Sequence, residues 1–223
     1  MLARRLRVCV WEVPVRFTHW MNFLCLIALS ITGYYIGNPF MHAISTRQYI
    51  MGWMRFIHFV AAYTFLMMVI IRIYWMFAGN KYASWKAFFP FDKKGLRQIA
   101  ESIRFYLLIS SKHSHMLGHS AIAGATYLVV FLLFIVEIIT GFALYSLSQP
   151  SSAIMFLLGG WSLNIMSVQT VRLYHHLIMW ALISFFIMHV YISWLVDSTE
   201  RNGLMGSIFG GYKFITGKEG NKD

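Results

Sequence analysis

Residues 172–197 read RLYHHLIMWALISFFIMHVYISWLVD. Between Arg172 and Asp197 no acidic residue, Lys or Arg interrupts the run, and as a helix it is long enough to cross a hydrocarbon core of ~30 Å. Inside it, His175 and His189 are fourteen residues apart. At ~100° and 1.5 Å per residue, fourteen steps return to within about 40° of the same face and advance roughly 21 Å along the axis. One helix therefore presents two imidazoles at two depths. An imidazole is a costly guest in hydrocarbon unless something takes its nitrogen, so both need partners.

Three further apolar runs of the same length lie upstream, giving expected spans of about 17–37, 53–77, 123–146 and 172–197. The chain of 223 residues is 58% hydrophobic and 17% aromatic, with a mean hydropathy of +0.60. That is more apolar surface than a soluble domain of this size buries. The runs are too long, and too uniformly apolar, for barrel strands. The expected fold is all-α: an integral membrane four-helix bundle forming a single membrane domain over 1–223. The connection 78–122 adds a fifth, amphipathic segment at about 95–109. There Leu96, Ile99, Ile103, Tyr106 and Leu107 recur at helical spacing opposite Arg97, Gln98, Glu101 and Arg104. Such a face suits a helix lying in the cytoplasmic headgroup plane or one docking on a partner.

Charge sets the orientation. Of the 19 Lys and Arg residues, only Arg47, Arg55 and Arg172 fall on one side of these spans. The other side holds the N-terminal arginines, Arg16, Arg72, the basic residues from Lys81 to Lys112, and the C-terminal ones. The positive-inside rule then puts both termini and the 78–122 connection in the cytoplasm. The formal net charge of +11 is read as membrane-surface charge facing lipid, with no nucleic acid implied. Trp11, Glu12, Pro14 and Arg16 interrupt the basic start, and the apolar run after them is too long for a cleaved signal, so the first helix is expected to stay as an anchor. Cys9 and Cys25 fall on the cytoplasmic side and inside a helix, which argues against a structural disulfide. No C-x-x-C-H motif occurs, so any haem is of the b type.

Depth decides which histidines can share an iron. His19 opens the first helix at the cytoplasmic side and His58 opens the second near the periplasm, while in the fourth helix His175 is early and His189 late. The matched pairs are His19 with His189 and His58 with His175. Two bis-histidine haems b, one near each surface, account for four imidazoles at two levels. His176, thirteen residues before His189, is turned about 220° from it and is excluded as a ligand. His42 lies in a periplasmic loop, and His113, His115 and His119 lie in the cytoplasmic connection without the spacing of a metal site. Arg72 shares the face of His58, and Arg16 and Arg172 each precede a ligand by three residues. All three are candidates for haem propionates or for lipid phosphate. Glu137, inside the third helix, must be protonated or partnered, in a proton path or a structural hydrogen bond. A short echo, Ile31-Thr32-Gly33 and Ile139-Thr140-Gly141, offers small residues that permit close approach of a helix or a flat macrocycle. The 14 methionines and the aromatic stripe are read as packing and interface belts.

The segment Arg16-Phe17-Thr18-His19-Trp20, running on to Ile31-Thr32-Gly33, resembles the first-helix signature of the cytochrome b subunits of membrane-bound [NiFe] hydrogenases, in the di-haem superfamily of formate dehydrogenase gamma subunits. Arg172-Leu173-Tyr174-His175-His176, through Trp180 and Phe185 to His189, resembles its second signature. Arg55-Phe56-Ile57-His58-Phe59, Arg72-Ile73-Tyr74-Trp75 and Gly79-Asn80-Lys81-Tyr82 are similar to that family too. The likeness runs from about residue 10 to 215. It departs at Leu173, where a small residue is usual, and at Glu137, an expected apolar site.

The resemblance implies a multi-pass protein of the bacterial inner membrane. Its partners would be the periplasmic iron–sulfur small subunit of a hydrogenase, with its own anchor helix, and the large subunit. Electrons would pass from His58 and His175 at the periplasmic haem to His19 and His189 at the cytoplasmic one, over an iron separation of roughly 20 Å, and on to quinone. Hydrogen chemistry would reside in the partners. Equivalent subunits of formate dehydrogenases or thiosulfate reductases are the alternative. A haem-free proton channel or transporter is a second.

Overall fold

The computed structural model describes residues 5–40, 48–85, 97, 100, 121–200 and 203–216. The segment expected to form the interfacial helix over 95–109 lies, apart from residues 97 and 100, outside them. So do His42, His113, His115 and His119.

Four long helices dominate the described residues: α1 (Val13–Gly37), α2 (Ile50–Ala78), α3 (Ala121–Ser146) and α5 (Val168–Glu200). All four are long and apolar enough to cross a membrane. The protein is thus all-α and membrane-spanning, with large apolar side chains such as Ile31 and Leu177 exposed on its helices. Each helix extends beyond its apolar window because polar residues also continue the backbone ladder. Pro14 is accommodated in the first turn of α1, where its missing N–H has no intrahelical acceptor to lose. Ser167 starts α5 by accepting a hydrogen bond from the Thr170 amide (3.2 Å), so Gln169 and Thr170 are helical ahead of the apolar run. Gly37, Asn38 and Pro39 end α1 with residues unsuited to further helix.

Between α3 and α5 stand the short helix α4 (Ala153–Leu158), capped by Ser152, and a 3₁₀ turn, Gly160–Asn164. After α5 come α6 (Leu204–Gly210) and a strand. The strands β1 (Arg5–Cys9) and β2 (Tyr212–Thr216) pair antiparallel, from Arg5 opposite Thr216 to Cys9 opposite Tyr212.

The chain divides into two compact units. One comprises residues 1–16, 72–132 and 187–223, and its described part is held by hydrogen bonds between distant segments. The Gly211 carbonyl accepts from the Val10 and Trp11 amides (2.8 and 3.1 Å). Gly211 itself adopts φ 87°, a left-handed conformation that favours glycine. Glu12 Oε2 accepts from Trp75 Nε1 (2.8 Å) and from the Asn80 amide (2.9 Å). Asn80 Nδ2 in turn donates to the Val10 carbonyl (3.1 Å), and Trp11 Nε1 to Ser207 Oγ (3.0 Å). The Arg7 guanidinium lies 3.8 Å over the Tyr212 ring.

The other unit comprises residues 17–71 and 133–186, where aromatic contacts join the helices. Phe65 of α2 meets Phe134 of α3 edge-on at 4.9 Å, and Tyr63 meets Phe142 at 5.3 Å. Phe23 of α1 meets Phe186 of α5 at 5.3 Å. Before the 3₁₀ turn, Gly159 lies so close to α3 that a Cβ there would strike the Ile139 carbonyl and the Ala143 amide.

Candidate haem-binding site

His58 of α2 and His175 of α5 both belong to the second unit. Each is seated against the Ile-Thr-Gly triplet of a neighbouring helix. On α1, Thr32 Oγ1 is 2.9 Å from His58 Nδ1, and on α3, Thr140 Oγ1 is 3.0 Å from His175 Nδ1. Both threonines are almost wholly buried.

The direction of these bonds follows from the hydroxyl protons. Thr32 Oγ1 donates to the Ala28 carbonyl (2.6 Å) and Thr140 Oγ1 to the Val136 carbonyl (2.8 Å), one turn back on the same helix. With its proton on that carbonyl, each hydroxyl accepts from its histidine. That arrangement puts the imidazole proton on Nδ1 and leaves Nε2 its lone pair. Neutral imidazole with a free Nε2 and an anchored Nδ1–H is the form that ligates iron, its orientation fixed by the outer partner.

The glycines complete the seats. A Cβ at Gly33 would stand 3.2 Å from His58 Cε1, and one at Gly141 3.1 Å from His175 Cε1. A side chain at either position would press on the ring by a few tenths of an ångström. The echo is thus a pair of imidazole cradles rather than a helix-packing motif alone. Sequence reading noted the triplets without assigning them to histidines. The pairing of Thr32 with His58 and of Thr140 with His175 joins residues far apart in the chain, so only the repetition itself was visible. The donor set and both cradles fit a bis-histidine haem.

Glu137, one turn before Thr140, places Oε1 3.3 Å from His175 Nδ1. Its cost in the membrane is thus met in part by a partner. Its Oε2 is buried without a hydrogen bond among the described residues. His176 turns to another neighbour: a Cβ on Gly37 would collide with its ring. Its centroid is 6.4 Å from that of His175.

The second expected pair is divided between the units. His19 belongs to the second, next to the buried Thr18, with its ring edge-on to Trp20 at 5.4 Å. His189 belongs to the first, its ring 6.3 Å from that of Tyr127. Of the candidate propionate partners, Arg16 donates through Nη1 to the Phe209 carbonyl, while its buried Nε has no acceptor among the described residues. Arg72 directs both terminal nitrogens at the Ala83 carbonyl (3.3 Å each), and Arg172 reaches Gln169 Oε1 (3.4 Å).

Residues 10–211 match the family described as prokaryotic cytochrome b561. Among curated proteins, the chain is 33% identical over 209 residues to the probable Ni/Fe-hydrogenase B-type cytochrome subunit of Cupriavidus necator, covering 92% of this chain and 86% of that protein. It is 34% identical over 209 residues to the protein of that name from Bradyrhizobium diazoefficiens (92% and 85%). It is 35% identical over 227 residues to the probable Ni/Fe-hydrogenase 1 B-type cytochrome subunit of Escherichia coli (96% and 94%). The four membrane-crossing helices, the two seated imidazoles and these likenesses agree: the chain belongs to the prokaryotic cytochrome b561 family and is a multi-pass membrane cytochrome b of electron transfer.

Proposed function

We propose that this protein carries electrons from a periplasmic [NiFe] hydrogenase to the quinone pool of a bacterial inner membrane on two haems b, and anchors the hydrogenase there. His58 and His175 would hold the periplasmic haem, and His19 and His189 the cytoplasmic one. The observation that carries this reading is the pair of threonine–glycine seats, which hold Nδ1 of His58 and of His175 against a threonine hydroxyl. The hydrogenase names of the relatives support the source of the electrons.

Haem b held by two histidines supplies a one-electron couple with both axial positions filled, which favours electron transfer over oxygen binding. The chain's own residues bind, orient and insulate. Thr32 and Thr140 fix the rotation and tautomer of each ring. Arg16, whose buried Nε lacks an acceptor among the described residues, is suited to a propionate. The basic excess on one side supports cytoplasmic termini, so quinone would draw its protons from the cytoplasm while hydrogen oxidation releases protons outside. Each charge so separated works against ~2.3 kcal/mol per 100 mV.

Purification of the intact membrane complex, with identification of its subunits and a haem count per chain, tests this directly. Two haems and co-purifying hydrogenase subunits are expected, and His58→Ala or His175→Ala should leave one haem. A preparation without reduced b-type absorbance would overturn the reading in favour of a proton channel or transporter. A formate dehydrogenase or thiosulfate reductase partner would reassign the electron source.

A further inference from the structure

The two seats are built on one five-residue frame, Leu29-Ser30-Ile31-Thr32-Gly33 and Glu137-Ile138-Ile139-Thr140-Gly141. In both, the threonine hydroxyl also lies within hydrogen-bonding distance of the backbone carbonyl three residues earlier, at Leu29 (3.4 Å) and Glu137 (3.1 Å). At that position the frames differ in chemistry. Leu29 offers only a hydrocarbon side chain beside His58, whereas His175 has a side-chain carboxyl oxygen 3.3 Å from Nδ1. His175 Nδ1 therefore faces two oxygens, Thr140 Oγ1 at 3.0 Å and Glu137 Oε1 at 3.3 Å.

From this asymmetry we infer that Glu137 is a positioning residue that lowers the reduction potential of the haem held by His175, so that the two ligands of that haem are electronically unequal. A stronger acceptor at Nδ1 makes the imidazole a better donor at Nε2, and the more electron-rich ligand stabilises the oxidised iron. Set low, the haem nearest the hydrogen source stays below the next acceptor, and electrons run towards the cytoplasmic side. The inference rests on the proposed ligation by His58 and His175, but it has its own readout.

The test uses the intact complex and follows the midpoint potential of the haem that disappears in His175→Ala, together with its low-spin g values. Glu137→Leu makes the second frame match the first, and Glu137→Gln retains a weaker acceptor oxygen. Glu137→Leu should keep two haems per chain and raise that potential enough to favour reduction about tenfold, ~59 mV for one electron. Glu137→Gln should fall between it and the parent, and the other haem should not move. Two haems at unchanged potential in both variants would overturn the inference and leave the ligand assignment standing. An equal shift of both haems, or loss of haem from both variants, would also overturn it, because Glu137 would then act on the fold and not on one ligand. Full haem retention in His58→Ala and His175→Ala would instead remove the ligation on which it rests.

Discussion

At Thr140 a side chain of a few atoms stands 3.0 Å from His175 Nδ1. Thr140→Val keeps the shape and deletes the acceptor, so it should cost about 1 kcal/mol of stability for one lost buried hydrogen bond. Weakening of haem retention by roughly 10–100-fold, as for other outer-sphere ligand partners, is expected with it. Titration of the purified variant with haem reads both. Gly141→Ala should likewise lower occupancy of that site, since its Cβ would stand 3.1 Å from His175 Cε1. Gly206→Ala is the control, because a Cβ there meets nothing within 4 Å. His176→Ala, which alters a ring seated over Gly37 instead, should leave two haems per chain; haem loss equal to that of His175→Ala would reverse the face assignment. The histidines themselves were legible in the sequence because hydropathy makes a polar residue in a lipid span conspicuous. Their seats were not, because a threonine in a helix hydrogen-bonds its own backbone whether or not it also holds an imidazole.

The long helices were legible to within a few residues, since uninterrupted apolar length is a strong signal and Gly37, Gly79 and Pro150 punctuate the runs. The β1–β2 pair escaped notice: two five-residue strands joined across some two hundred residues leave no periodicity to read. Their joint depends on Gly211. Gly211→Ala would add a Cβ at φ 87°, 2.8 Å from the Trp11 carbonyl. It should cost about 1–2 kcal/mol in backbone strain alone. A lower melting temperature in detergent, with faster proteolysis before Val13, is the expected result. Glu12→Ala should act on the same joint, leaving Trp75 Nε1 and the Asn80 amide without their acceptor at a cost of about 1–3 kcal/mol.

For the whole molecule, the prediction is directional. His189→Ala should stop quinone reduction while the haem of His58 and His175 is still reduced by hydrogen through the partner; undiminished hydrogen-to-quinone turnover would count against the proposed order. Periplasm-dependent reporters fused after Asn38 or Ser151 should be active, and one fused after Thr216 inactive. The α3–α5 hairpin has its own bearing on this. Gly159 is pressed against the backbone of Ile139 and Ala143, and between those two residues lie Thr140 and Gly141. Bulk added at 159 therefore has to part this segment from α3 beside the turn that carries Thr140 and Gly141. Gly159→Ala, though on a different segment from every ligand, should be audible as a change in the Soret line of the haem at His175, a lever arm from the outer loop to the metal's ligand.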